Sequence, residues 1–285
     1  MAGQQTVSPP SHSSHRRKPS AGRNLPAAIG VGVVLGGAIL ASLLIYRPAF
    51  VALAAAAVVV ALWELGTAVG SKGLRPPFVP LAVGGAGMLA GAWWSGIEAL
   101  LVGLLLTVVA VALWRLADGP DGYQRDVTVG ALMAVYVPFL AGFAVLTVAE
   151  HRGPLRIIAF IATVVCNDTG GYVAGVLFGR HPMAPTVSPK KSWEGFVGSL
   201  VACVLCGVGL LVFAFHDTWW HGVVFGLAVA VTATLGDLGE SMIKRDLDVK
   251  DMSSLLPGHG GLMDRLDSLL PTAPVAYLLL HSFLS

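Results

Sequence analysis

The sequence predicts an all-α, polytopic integral membrane protein of about nine transmembrane helices, with a cytoplasmic N-terminus and the C-terminus outside. Three observations carry that prediction. Of the 285 residues, 55% are hydrophobic and 12% are charged, whereas a soluble domain carries about a quarter charged residues. Apolar runs approaching the roughly 20 residues that a helix needs to cross the hydrocarbon core recur along nearly the whole chain. Finally, the 18 Lys and Arg residues fall very unevenly when successive loops are assigned to alternate sides.

Residues 1–24 are a different material, rich in Ser, His, Pro, Gln and basic side chains with almost nothing to bury. A disordered basic tail is expected there, followed by a single membrane domain over 25–285. Arg16, Arg17, Lys18 and Arg23 precede the first apolar run, 26–46, as basic residues do in a signal peptide. That run is longer than a signal h-region and no small-residue cleavage site follows it, so it is expected to be retained. The second span covers 48–68. The third and fourth, 78–94 and 97–116, meet at Trp94-Ser95-Gly96, which leaves a merged or re-entrant segment open. Spans at 128–148, 155–178, 194–215 and 219–238 follow. The last, 270–284, is short, and its helix could begin as early as Leu262. The longest loops, about 180–193 and 240–262, leave no soluble domain to find. Cys166, Cys203 and Cys206 lie in apolar runs without metal-ligand spacing and read as packing residues.

With the N-terminus inside, 15 of the 18 basic residues face the cytoplasm, and Arg47, Arg152 and Arg156 face outward. The positive-inside rule predicts that asymmetry. Trp93, Trp94, Trp219 and Trp220 then fall at the outer interface, where aromatic belts belong.

Three polar clusters converge on the predicted cytoplasmic side. Within 241–268, Lys244, Arg245, Lys250, Asp251, His259, Asp264, Arg265 and Asp267 crowd around a Pro-Gly-His-Gly-Gly turn between apolar segments. Charges near lipid need partners or water. Such density at a membrane surface suggests a reaction centre, with basic groups and glycine amides suited to phosphates and aspartates to a divalent cation. Just upstream, Asp237, Glu240, Ser241, Lys244 and Arg245 share a broad helix face, although Glu240–Lys244 also reads as an ordinary i,i+4 pair. The second cluster is Asn167-Asp168-Thr169-Gly170-Gly171-Tyr172 in the sixth span. Asp168 is either a wall of a water-filled cavity or a helix–helix hydrogen-bonding group. The third is Ser188-Pro189-Lys190-Lys191-Ser192-Trp193-Glu194-Gly195. Paired lysines at the mouth of a helix suit a triphosphate, while a bare Lys-Lys pair also reads as a topology anchor. His259 fits a phosphate donor, a proton-transfer group or a turn residue. Glu64 and Glu98 read as interfacial or interhelical.

Ser241-x-Ile243-Lys244-Arg245, Lys250-Asp251 and Leu256-Pro257-Gly258-His259-Gly260-Gly261-Leu262-x-Asp264-Arg265-Leu266-Asp267 resemble the signature of the phosphatidate cytidylyltransferases, with no departure over 27 positions. The Ser188–Gly195 string is similar to an element of the same family and of related CTP-dependent lipid kinases. The resemblance implies that 25–285 is a catalytic domain condensing CTP with phosphatidate to CDP-diacylglycerol and pyrophosphate, in phospholipid biosynthesis. It implies Asp237 and Asp264 as ligands of Mg²⁺, with room for a second metal ion. Lys190, Lys191, Lys244, Arg245 and Arg265 would hold phosphates, with Ser188, Asp168 and Lys250 on the nucleotide side and His259 among the catalytic candidates. The expected partners are CTP, phosphatidate and membrane lipids, with no nucleic acid and with a homodimer admitted. The expected place is the inner (plasma) membrane, with the site facing the cytoplasm. Two rivals stand beside this reading. A CTP-dependent polyprenol or phytol kinase would share the Ser-Pro-Lys-Lys element but lack the complete signature. A cation-coupled transporter would gather its polar residues near the midplane, whereas here they gather at one face.

Overall fold

The computed structural model describes residues 25–255 and 260–284, with side chains from Gly30 onward. The expected tail (1–24), His259 and the C-terminal Ser285 lie outside the described residues. Helix α1 (Leu25–Ile45) and α2 (Arg47–Gly70) almost abut. Tyr46 between them is extended, and Pro48 sits in the first turn of α2, where its missing N–H costs nothing.

Helix α3 (Phe78–Leu116) settles the doubtful boundary at Trp94-Ser95-Gly96. Gly96, at φ 72° and ψ −154°, reverses the chain inside it, a backbone that glycine adopts without strain. The two arms lie against each other. A Cβ added to Gly91 would stand 3.2 Å from that of Ala99, and one on Gly103 would stand 2.8 Å from Met88 Cγ. The 78–94 and 97–116 segments are therefore the arms of a helical hairpin, not one rod.

Helix α4 (Tyr123–Ala134) passes through a π-helical turn (Val135–Phe139) into α5 (Leu140–Ala149). Pro138 lies in that turn, where a wider helix relieves the clash of a ring without an N–H. Helix α6 (Gly153–Phe178) leads to strands β1 (Pro182–Ala184) and β2 (Ser188–Ser192), an antiparallel hairpin where the sequence predicts a loop. Helix α7 (Trp193–Gly209) continues through a second π-helical turn, Leu210–Ala214. Helix α8 (Trp219–Asp246) runs well past the predicted end near 238, so Asp237, Glu240, Ser241, Lys244 and Arg245 share one helix. The end of the chain forms its last helix where 270–284 is expected. A four-residue α9 (Met263–Leu266) is separated from α10 (Leu269–Leu284), instead of one helix starting near Leu262.

Among the described residues, six helices are long and apolar enough to cross a membrane. They are α2, α3, the α4–α5 rod, α6, α7 with its π turn, and α8. The architecture is that of an all-α membrane protein. Its core buries Leu62, Leu81, Met88, Phe225, Met263 and Leu280, while Leu101, Leu105, Leu113, Val176, Leu177 and Phe213 face outward. An apolar exterior of that extent marks a lipid-facing surface.

Lipid offers no hydrophobic drive for helix association, so small residues that permit close contact decide which helices join. Helices α6 and α7 meet this way. A Cβ on Gly170 would stand 2.5 Å from that of Ala202, and one on Gly198 would stand 2.2 Å from that of Ala174. This contact holds the Asn167-Asp168 segment against the first turns of α7. A different device ties α3 to α4: Arg115 and Asp126, both buried, pair at 2.9 Å, and Asp126 also accepts the Arg75 amide at 3.0 Å.

Candidate active site

Helices α6, α7 and α8 and the β1–β2 hairpin enclose a cavity of about 300 Å³. Asn167 and Asp168 reach it from α6, Lys190 and Lys191 from β2, Ser192 from the head of α7, and Asp237 from α8. Consecutive strand residues ordinarily point to opposite faces, so two adjacent lysines in one cavity need an irregular strand. The register supplies it. Pro182 pairs with Ser192 and Ala184 with Ser188, so β2 spends more residues than β1 between the two pairs and bulges through Pro189–Lys191.

The rest of the Ser-Pro-Lys-Lys-Ser-Trp-Glu-Gly string builds the frame. Ser192 is extended, and its Oγ accepts the Gly195 amide at 3.1 Å, capping α7. Glu194 accepts the Arg180 and His181 amides at 3.1 and 3.2 Å, fastening the base of the hairpin. Across the cavity, Lys191 Nζ lies 2.5 Å from Asp237 Oδ2. Asp168 accepts a hydrogen bond from Asn167 Nδ2 at 3.1 Å and is exposed to the cavity.

A second charged group adjoins along α8. Lys244 Nζ bridges Glu240 Oε2 at 3.0 Å and Asp264 Oδ1 at 2.8 Å. The i,i+4 pair is thus real, and it also reaches the signature aspartate. Asp264 Oδ2 accepts the amides of Gly261 at 2.8 Å and Met252 at 3.0 Å, so this side chain holds those two segments together while it faces Lys244. Burial first, and then the charge of Asp237, push the Asp267 carboxyl pKa up. A neighbouring like charge disfavours the ionised form of such a carboxyl.

The remaining candidates sit further out. Arg245 is exposed and donates to the Val187 carbonyl at 3.3 Å, tying α8 to the hairpin turn. Lys250 and Arg265 are exposed, and Ser188 is partly buried in β2 away from the cavity lining. Among the described residues, no three His, Cys, Asp or Glu side chains converge to hold a metal ion by themselves. Mg²⁺ does not need such a cage, since it commonly binds through one or two carboxylates, water and substrate phosphates. Asp237 and Asp264, each paired with a lysine ammonium, are donors of the right kind.

A carboxylate that the sequence leaves as interfacial or interhelical belongs to this region. Glu64 of α2 is fully buried and accepts Ser253 Oγ at 2.5 Å and the amides of Leu262 and Met263 at 2.9 and 2.7 Å. Its signal in the sequence was a lone carboxylate within an apolar span.

Residues 26–283 match the model of the cytidylyltransferase family. The chain belongs to that family. Among cytidylyltransferases, the phosphatidate cytidylyltransferase of Mycobacterium leprae is 42% identical over 283 residues, covering 94% of this chain and 91% of its own. That of Mycobacterium tuberculosis strain H37Rv is 41% identical over 273 residues, covering 91% and 83%. The Haemophilus influenzae phosphatidate cytidylyltransferase is 32% identical over 192 residues, covering 60% and 66%. The cytidylyltransferase match thus spans both the cavity and the signature turn.

Proposed function

We infer that the protein transfers the cytidylyl group of CTP to phosphatidate, giving CDP-diacylglycerol and pyrophosphate. The observation that carries this reading is the convergence of Lys190, Lys191, Asp168 and Asp237 in one cavity beside the Lys244–Asp264 pair. Both reactants are anions, so catalysis consists mainly of alignment and charge neutralisation. Lys190 and Lys191 hold the triphosphate. Lys244, Arg245 and Arg265 hold the remaining phosphate charge, including the phosphatidate headgroup. A phosphatidate oxygen, already ionised at neutral pH, attacks the α-phosphorus and pyrophosphate leaves, so no strong base is required. Asp237 and Asp264 are the residues that would hold Mg²⁺. An ion held there would supply positive charge to offset the charge that develops on the phosphates. Asp168 and Lys250 complete the nucleotide side.

The same reading sets nine crossings, with α1, the two arms of α3 and α10 each counted as spans. The N-terminus and the site face the cytoplasm in the plasma membrane, and the C-terminus lies outside. The 15-to-3 partition of basic residues supports that orientation.

Purified protein in detergent, given CTP, phosphatidate and Mg²⁺, should release pyrophosphate and form CDP-diacylglycerol in equal amounts. A lipid kinase would instead release CDP on a polyprenol or phytol acceptor. No pyrophosphate in the presence of both substrates would overturn the reading.

A further inference from the structure

We propose that Glu64, on α2 and outside the cavity, is a positioning residue for Asp264 and Lys244. The inference rests on the reading that those two side chains serve the cytidylyl transfer. Glu64 lies 198 and 199 residues before the Leu262 and Met263 amides that it accepts, so its contacts are made by the fold and not by local chain geometry.

The two carboxylates share the Gly261 segment. A Cβ placed on Gly261 would stand 2.8 Å from Glu64 Oε2 and 3.0 Å from Asp264 Oδ2. Two carboxylates therefore meet at the same side of the Gly261 backbone. Glu64 takes the amides that follow this residue, and Asp264 takes the Gly261 amide itself together with that of Met252. Ser253, the neighbour of Met252, donates its hydroxyl to Glu64. Both backbone segments that Asp264 grips are thus also gripped by Glu64. Because Asp264 then meets Lys244 of α8, a shift of this segment disturbs the contact between the acid and its lysine. The other tie between this region and the end of α2, Lys72 to Asp248 at 2.5 Å, is an exposed ion pair. Exposed pairs contribute little, which leaves Glu64 as the strong buried anchor among the described contacts.

Glutamine has the shape of glutamate but presents one acceptor oxygen and one NH₂ group. It can serve Ser253 and Leu262 or serve Met263, and its NH₂ then opposes an N–H donor. Disturbing an outer partner that orients an active-site ligand commonly costs about 10–100-fold in activity.

The test compares wild type, Glu64→Gln and Asp264→Asn in detergent, with kcat and KM for CTP, thermal unfolding, and amide hydrogen exchange over residues 252–255 and 260–264. Glu64→Gln should unfold as a cooperative, membrane-inserted protein, lose about 10–100-fold in kcat, and leave KM for CTP nearly unchanged because the Lys190–Lys191 side is untouched. Exchange should quicken at Met252 and at Gly261–Met263. A stable Glu64→Gln protein with wild-type kcat overturns the proposal while leaving an inactive Asp264→Asn, and the reading of the site, intact. Full activity in Asp264→Asn overturns both together. Should Glu64→Gln fail to insert, Ser253→Ala decides: it keeps the carboxylate and removes one donor, so a smaller kcat loss supports the proposal and none overturns it.

Discussion

Lys191 Nζ of β2 meets Asp237 Oδ2 of α8 at 2.5 Å, closing a link across the cavity between two elements 46 residues apart in the chain. The bulge of β2 lets Lys191 make this contact while Lys190 also lines the cavity. Without it, one of the two adjacent lysines would point away from the cavity that both line.

Replacing Lys190 and Lys191 together with alanine should therefore raise KM for CTP and also lower kcat, without altering membrane insertion. Loss of two ammonium groups weakens ground-state and transition-state contacts with the triphosphate, so kcat/KM must fall. If the pair were only a topology anchor, the other 13 of the 15 basic residues assigned to the cytoplasm would preserve orientation and the kinetics would not move. Initial rates against CTP at saturating phosphatidate separate the two cases.

Asp264→Asn should abolish turnover in a protein that still folds. The asparagine side chain can still accept the Gly261 and Met252 amides through its oxygen. Its amide, however, would face the Lys244 ammonium now held at 2.8 Å by Oδ1. Charge stabilisation of several kcal/mol is lost, which is orders of magnitude in rate. Circular dichroism beside a pyrophosphate assay checks both halves of the expectation, and wild-type turnover would remove Asp264 from the machinery.

Much of this molecule is legible in the sequence because apolar runs and charged motifs are local signals. The cavity is a good instance: Asp168, Lys190, Lys191 and Asp237 are each conspicuous, being charges beside or inside apolar segments. What is not legible depends on where the chain comes back. The apolar count stops near 238, yet α8 continues to Asp246, with Lys244 paired to Asp264 and Arg245 to the β hairpin. Arg115 and Arg156 counted as topology charges. Both are buried, Arg115 against Asp126 and Arg156 donating to the Leu284 carbonyl at 2.9 Å. The role of Glu64 is not legible because its three donors lie near the other end of the chain.

Orientation has its own test. Single cysteines in the 180–193 and 240–255 segments should label from the cytoplasmic side, and one at Ser285 from outside, in a background lacking Cys166, Cys203 and Cys206. The expectation follows from nine crossings and the positive-inside partition. The hairpin reversal at Gly96 matters here, because reading α3 as one span would invert every later loop. Cytoplasmic labelling at Ser285 would mean an even number of crossings.

Two glycines offer a contrast that isolates the signature turn from the helix beside it. Gly239 of α8 has open space where a Cβ would go, so Gly239→Ala should leave activity near wild type and, by removing helix-interior glycine, cost no stability. Gly261 is enclosed: a Cβ there would stand 2.8 Å from Glu64 Oε2, 3.0 Å from Asp264 Oδ2 and 3.1 Å from Glu64 Cδ. Both carboxylates are ends of side chains and would swing aside easily if free. They are not free, because Glu64 holds Ser253, Leu262 and Met263 while Asp264 holds Lys244, Met252 and Gly261. Moving either one breaks hydrogen bonds that seat the turn, and small displacements of aligned groups cost about 100-fold in rate. Gly261→Ala should therefore lose activity on that scale while keeping its CTP affinity, read by nucleotide binding to the purified protein. Equal activity of the two alanine variants would show that the turn tolerates the extra methyl and that Glu64 and Asp264 do not seat it tightly.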